Sequence, residues 1–155
     1  MLEQTREAIR KKYPAFEYTV CQDTPITPLR KPLADCKVAL LTTGGLHRTT
    51  DLPFDTKHLE GDCSYRLLPG DIQHQDIGIS HESYDHAFIN KDLNCVFPID
   101  RMREYVQEGK IKALSEEHYS VMGHIYVTEP LMESARAMGR RLRELDVDAA
   151  FLTPT

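Results

Sequence analysis

The sequence predicts an α/β fold: an open, mainly parallel sheet with flanking helices. Three observations carry this reading. Lys37-Val38-Ala39-Leu40-Leu41-Thr42 is a nearly continuous apolar run, the pattern of a strand buried on both faces. A helical apolar stripe between residues 128 and 145 leads into a second apolar run, Ala149-Ala150-Phe151-Leu152-Thr153. No two-residue hairpin signal separates the strands, so the order strand, helix, strand favours crossover connections. A strand that runs into Pro154-Thr155 would ordinarily continue into a loop and a covering helix. The sheet is therefore expected to lack its C-terminal part.

The chain of 155 residues suits one domain with a sizeable core. Its organisation reads as a helix and proline-rich arm over residues 1–36, then an α/β domain over 37–155. A net charge of -5 argues against nucleic acid as the main partner. No apolar window of about 18 residues is present to cross a membrane, and the charged N-terminus lacks a secretory core. A cytoplasmic location is the expectation. Cys21, Cys36, Cys63 and Cys95 are widely and irregularly spaced, with no Cys-x-x-Cys pair. They are expected to be reduced thiols rather than metal or redox pairs.

In chain order, residues 1 to about 12 read as a short helix. From Tyr13 to Asp35, Pro14, Pro25, Pro28 and Pro32 each fix φ and remove a donor, which predicts an extended arm. Residues 46–92 are polar, rich in histidine and without clear periodicity; a stretch of that length is expected to line a site or a partner surface. Asn94-Cys95-Val96-Phe97 reads as a short strand closed by Pro98. Asp100 is the expected cap of a helix to about Glu108, with Gly109 as its stop and Ile99, Met102 and Val106 on its apolar face. Ser115 is expected to cap a short turn leading to Tyr119. Thr128 is the expected cap of the last helix, with Pro130 in its first turn. Leu131, Ala135, Met138, Leu142 and Leu145 form its core-facing stripe, while Arg136, Arg140 and Arg143 line another face as solvated surface or an anion site.

Three polar clusters could carry chemistry. Thr43, Gly44 and Gly45 follow the first strand, where backbone N–H groups can meet an anion; a tight turn is the plainer reading. Asp62, Ser64 and Arg66 alternate, so an extended backbone puts them on one face, where Arg66 could clamp a carboxylate or pair with Asp62. Cys63 would then point toward the core. In His81-Glu82-Ser83-Tyr84-Asp85-His86, a helix would bring His81 and Asp85 together, suited to proton transfer, with His86 one step round. No metal is expected there, for want of a well-spaced third ligand.

Read together, these segments resemble one family, the selenoprotein B component of the glycine, sarcosine, betaine and D-proline reductases. The resemblance runs through Val38–Gly45, Gly61-Asp62 with Ser64 and Arg66, and His81 with Tyr84-Asp85. It continues through Asp92-Leu93-Asn94, Phe97–Arg101, Gly109, Tyr119-Ser120 and Met122-Gly123, and closes on Asp148–Thr155. It covers most of residues 37–155.

The resemblance implies reductive cleavage of a C–N bond in a small amino acid or betaine. In the family, the stretch similar to Leu152–Thr155 is followed at once by selenocysteine, or by cysteine, usually with a second cysteine two residues on. Selenocysteine is encoded by UGA, so the sequence is expected to stop at its own selenocysteine codon. Within that frame the residues named above, which stand at family-motif positions, are assigned roles by their chemistry. Gly44 and Gly45 offer backbone donors, Thr43, Ser64 and Tyr84 line the substrate, and Arg66, oriented by Asp62, pairs its carboxylate. His81 and Asp85 handle protons. The expected partners are a thioredoxin-like electron donor and other reductase subunits, one of which carries a pyruvoyl group in several family members. Without its redox residue the chain alone is expected to be inactive. Two rival readings stand beside this one: a non-catalytic substrate-binding or assembly subunit complete at Thr155, and a metal-dependent hydrolase built on His47, His81, Asp85 and His86.

Overall fold

The computed structural model describes residues 2–12, 14, 22–23, 26–82 and 84–155. The N-terminal helix is α1 (Leu2–Lys12). Cys21, Pro25 and most of the segment between Tyr13 and Pro25 lie outside the described residues. The described part of the arm ends in a single 3-10 turn, Leu33–Asp35, which feeds the central strand β1 (Lys37–Thr42).

The long polar stretch after β1 is not strandless. It holds β2 (Leu46–Arg48), β3 (Tyr65–Pro69) and β4 (Ile77–Ile79). Beyond it come α2 (Ile99–Gln107), β5 (Ala113–Leu114), β6 (Glu117–Val121), α3 (Glu129–Glu144) and β7 (Ala149–Thr153). β1 pairs in parallel with β7 along one edge, in register from Val38 with Ala149 to Thr42 with Thr153. Along its other edge β1 pairs in parallel with β5 and then β6. β3 lies antiparallel outside β6. β2 and β4 form a separate antiparallel pair. The sheet is thus open and mainly parallel, as the apolar runs predict, with one antiparallel edge.

The two faces of β1 are both buried, which is why its sequence is unbroken rather than alternating. Val38 and Leu40 join Leu68, Phe97, Ile99, Met102 and Ile111 in the core beneath α2. Leu41 and Leu67 face the other way, against Tyr119, Val121 and the α3 residues Leu131, Met138 and Leu142. Ala135, expected in that stripe, is exposed. An ion pair fixes α3 on the sheet: the Arg141 guanidinium grips the Glu117 carboxylate through Nε and Nη2, and Tyr119 Oη donates to the same carboxylate at 2.8 Å.

β6 replaces the turn expected after Ser115. Its alternation is masked because two of its buried residues are polar. His118 and Ser120 are fully buried, and each accepts a hydrogen bond from a backbone N–H. Ser120 Oγ takes the N–H of Leu46 at 2.7 Å. His118 Nδ1 takes the N–H of Leu40 at 3.1 Å, standing in for a ladder carbonyl where β5 gives way to β6. An accepting Nδ1 leaves the ring proton on Nε2, which has no partner among the described residues. Burial, with the Arg103 charge adding, pulls the His118 pKa down to about 4.

Three local expectations fail for related reasons. Asn94–Phe97 is not a strand: Asn94 and Cys95 belong to a 3-10 turn, Leu93–Cys95, held by Asp92 Oδ1 accepting from Asn94 N at 2.9 Å. Asp100 does not cap α2; it sits inside the first turn, and Asn94 Oδ1 accepts its N–H at 3.1 Å. Thr128 occupies the N-cap position of α3 without a side-chain capping bond. Short polar side chains compete for nearby backbone groups, and spacing alone does not say which one wins. Gly109 does end α2, at φ 68°.

Candidate functional site

The site lies past the carboxyl ends of β1 and β7, the usual place for ligands in an open α/β sheet. Thr155 N donates to Thr43 Oγ1 at 2.9 Å, and the two hydroxyls are 3.1 Å apart. Thr43 N donates to Thr153 O and Gly123 N to Thr43 O, so three strand ends meet at Thr43. The following glycines make close approach possible. Gly45 has φ 66°, and a Cβ there would lie 2.6 Å from Ser80 O. A Cβ on Gly44 would lie 3.5 Å from both Thr155 Cγ2 and Tyr84 Oη.

The glycine N–H groups do not face outward as expected for an anion site. Gly44 N donates to Thr42 Oγ1 at 3.1 Å, and Gly45 N to Val121 O at 3.0 Å. Their carbonyls are also used: Tyr84 Oη donates to Gly44 O at 2.9 Å, and Ser80 N donates to Gly45 O at 2.8 Å. Residues 80–82 and 84–86 are therefore clasped directly over the glycine turn.

That segment is not helical among its described residues, so the predicted pairing of His81 with Asp85 on a helix face is not formed. Asp85 is exposed, and its Oδ1 accepts the N–H of Ala87 at 2.8 Å. His81 is buried, with its ring edge-on to Tyr84, and Tyr84 packs in turn against His86. His86 Nε2 donates to His81 O at 2.7 Å, which fixes its proton. Burial, with the neighbouring charges of His124 and His86, holds His81 below the ordinary histidine pKa. Burial pushes Tyr84 up to about 12. Tyr84 is thus a neutral hydrogen-bond donor and His81 a neutral imidazole at pH 7. Ser83 lies outside the described residues. Beside them opens a cleft of about 560 Å³, lined by Pro53, Phe54, Ser80, His81, Tyr84 and His86 among others.

The second cluster supports this cleft from behind. Arg66 Nε donates to Leu52 O at 2.8 Å and Nη2 to Pro53 O at 3.2 Å, while its guanidinium lies 4.2 Å over the Phe54 ring. Arg66 Nη1 donates to Ser64 Oγ at 2.8 Å, Ser64 Oγ donates to Asp62 Oδ1, and Asp62 Oδ2 stands 4.0 Å from Nη2. The three residues do share a face, as their alternation predicts. Their bonds, however, run inward to the loop that carries Pro53 and Phe54. Burial alone would raise the Asp62 carboxyl; bonds from Ser64 and the Asp55 amide, with the Arg66 charge, outweigh it and hold the group below the usual range. Cys63 points away, and its Sγ donates to Val127 O at 3.4 Å. Burial raises its thiol pKa and the nearby Asp62 and Glu60 charges add to this, so it is a poor nucleophile at neutral pH.

His47 sits apart on β2, with Nδ1 on Arg48 O and Nε2 on Ser80 Oγ, so both nitrogens are engaged. Among the described residues no group of three or more His, Cys, Asp or Glu is placed to hold a metal ion. Among them also, no helix is long and apolar enough to cross a membrane. Sequence reasoning missed Thr155 and His124 as members of the site. An isolated bridge pairs Met122 with Gly44, and His124 follows two residues on, near enough for its charge to act on His81. The Met122-Gly123 match was the available signal.

This arrangement defines a candidate strand-end site in an open α/β sheet, and comparison with known proteins supplies the family. The model of the family described as glycine/sarcosine/betaine reductase selenoprotein B matches residues 10–155, and the chain belongs to that family. The D-proline reductase subunit gamma of Acetoanaerobium sticklandii is 42% identical over 128 residues, covering 82% of this chain and 52% of the relative. The glycine reductase complex component B subunit gamma of Symbiobacterium thermophilum is 30% identical over 140 residues, covering 84% of this chain and 31% of the relative. The sarcosine reductase complex component B subunit beta of Peptoclostridium acidaminophilum is 31% identical over 160 residues, 96% of this chain and 34% of the relative. The chain thus spans about half the length of the first relative and about a third of the other two. No solved structure matches it.

Proposed function

We propose that the chain forms the substrate pocket of a reductase component that cleaves the C–N bond of a small amino acid or betaine. Its redox residue, selenocysteine or cysteine, would follow Thr155. Family membership supports the reaction class, and the names of the relatives support the substrate class. The observation that carries the reading is the clasp of Thr155 on Thr43, with Tyr84 bonded to the adjoining Gly44. Any residue following Thr155 would emerge beside the cleft, at the end of a strand fixed in register.

A selenolate or low-pKa thiolate supplies a nucleophile that is ionised near neutral pH. Thr43 and the glycine turn hold the backbone that would carry it. Tyr84 stays protonated and keeps residues 80–82 and 84–86 over the pocket. His81, neutral at pH 7, can accept or return a proton. Asp85 is exposed and can reach this site only through water or a shift of its turn. Arg66, Asp62 and Ser64 act as positioning residues for the Pro53–Phe54 wall. Electrons would come from a thioredoxin-like dithiol donor, and a pyruvoyl group, where one is used, from a partner subunit.

The test is thiol consumption by the protein of the full reading frame, supplied with a dithiol, partner subunits and, separately, glycine, sarcosine, betaine and D-proline. One substrate should drive turnover, and the 155-residue chain alone should give none. Absence of turnover with all four would refute the catalytic reading. A second reading, a binding or assembly subunit, is favoured by one observation. Among the described residues β7 pairs on one edge only, and its Phe151 and Leu152 are 45% and 62% exposed. Substrate binding without turnover would support that alternative.

A further inference from the structure

The outer face of α3 has no role in the pocket or the core, yet its composition is unusual for plain solvated surface. Arg136, Arg140 and Arg143 follow one another at four and three residues, so they form one row about 10 Å long. All three are exposed. Among the described residues none of them is within ion-pair distance of a carboxylate, whereas the adjacent Arg141 holds both Glu117 and Glu144. Three cations in a row with no ion-pair partner among the described residues stand out on a chain of net charge -5.

Two further features of the same face concern packing rather than charge. Gly139 lies in the middle of the helix, where glycine is unfavourable, and a Cβ there would meet nothing within 4 Å. Its neighbour one turn earlier, Ala135, is exposed, and Met132 beside them is 52% exposed. Nothing inside the described fold requires a glycine there. A small-residue track flanked by an apolar side chain and a row of arginines lets a second helix come close and pair its acids with the row.

We infer that this face of α3 docks an acidic amphipathic helix of a partner protein. Its apolar side lies on Met132, Ala135 and Gly139, and its carboxylates meet Arg136, Arg140 and Arg143. A nucleic acid or other polyanion fits less well. It would use the row but not the small-residue track. The inference concerns a surface away from the pocket and stands whether or not the reductase reading holds.

The experiment uses the protein of the full reading frame and a labelled synthetic helix with leucine and alanine on one side and glutamate along its flanks, read by fluorescence anisotropy. A scrambled peptide of the same composition and heparin serve as competitors. The native chain should bind the helix at least tenfold more tightly than the scrambled peptide, and salt should weaken binding. Reversing the row, R136E/R140E/R143E, should lower affinity at least tenfold. Gly139→Leu, which keeps every charge, should lower it at least threefold. Unchanged circular dichroism and melting in both variants would exclude unfolding as the cause. Equal affinity for the ordered and scrambled peptides, displacement by heparin alone, or no loss in Gly139→Leu would each overturn the inference.

Discussion

Tyr84 Oη donates to Gly44 O at 2.9 Å, joining residues forty positions apart in sequence across the mouth of the candidate pocket. The bond ties an irregular segment to the turn that follows the central strand, and through Thr43 to Thr155. Tyr84→Phe keeps the ring contacts with His81 and His86 but leaves a carbonyl without its donor. The expected cost is about 1 kcal/mol of stability. A larger effect is expected on the site, read as faster hydrogen exchange at residues 80–86. Exchange unchanged from the native chain would show that the clasp does not hold the segment.

Arg66 separates a wall-building role from a substrate clamp. Its guanidinium bonds Leu52 O, Pro53 O and Ser64 Oγ together, a set that a lysine cannot reproduce. Arg66→Lys is expected to cost about 2 kcal/mol and to expose residues 52–54 to proteolysis. A direct clamp would behave otherwise: carboxylate binding would fall in Arg66→Lys while urea unfolding stayed unchanged.

His118 makes stability depend on pH in a defined window. Its folded pKa of about 4 lies below the ordinary histidine value of 6.5. Between these values the unfolded chain takes up a proton that the folded chain refuses. The stability contribution is therefore full above pH 6.5 and is lost as the pH falls toward 4, on the order of 3 kcal/mol. His81, also lowered, adds the same sign. Urea unfolding from pH 7 to 4.5 should show this loss. His118→Asn, whose Oδ1 can still accept the Leu40 N–H, should flatten the curve but leave the smaller slope due to His81.

Two glycines with equally open surroundings should respond in opposite directions to alanine. Neither Gly109 nor Gly139 would bring a Cβ within 4 Å of another atom. Gly109 has φ 68°, so alanine there is strained and should cost about 1 kcal/mol. Gly139 is helical, and alanine there should stabilise the free chain by about 1 kcal/mol. Thermal melts of the two variants check both signs, and a loss at Gly139 would mean the helix is strained in a way its geometry does not reveal.

The parts of this fold that were legible in sequence are those with a strong period or an unbroken run: β1, α3 and β7. β6 was hidden because His118 and Ser120 are polar yet buried, each made tolerable by a backbone N–H from a distant strand. Such partners, 78 and 74 residues away, leave no local trace. The convergence of Thr43, Gly44 and Tyr84 was foreseen only as a set of motif positions. The roles assigned within it needed atoms. Gly44 and Gly45 use their N–H groups internally, Arg66 faces a loop, and Asp85 turns out to Ala87 instead of pairing with His81.

The proposal that a redox residue follows Thr155 at the mouth of this pocket is tested most directly by sequencing the nucleotides that follow the Thr155 codon. The expected result is a UGA or cysteine codon, an in-frame continuation and a further cysteine nearby. A UAA or UAG codon, or a continuing frame that opens on any other residue, would contradict it.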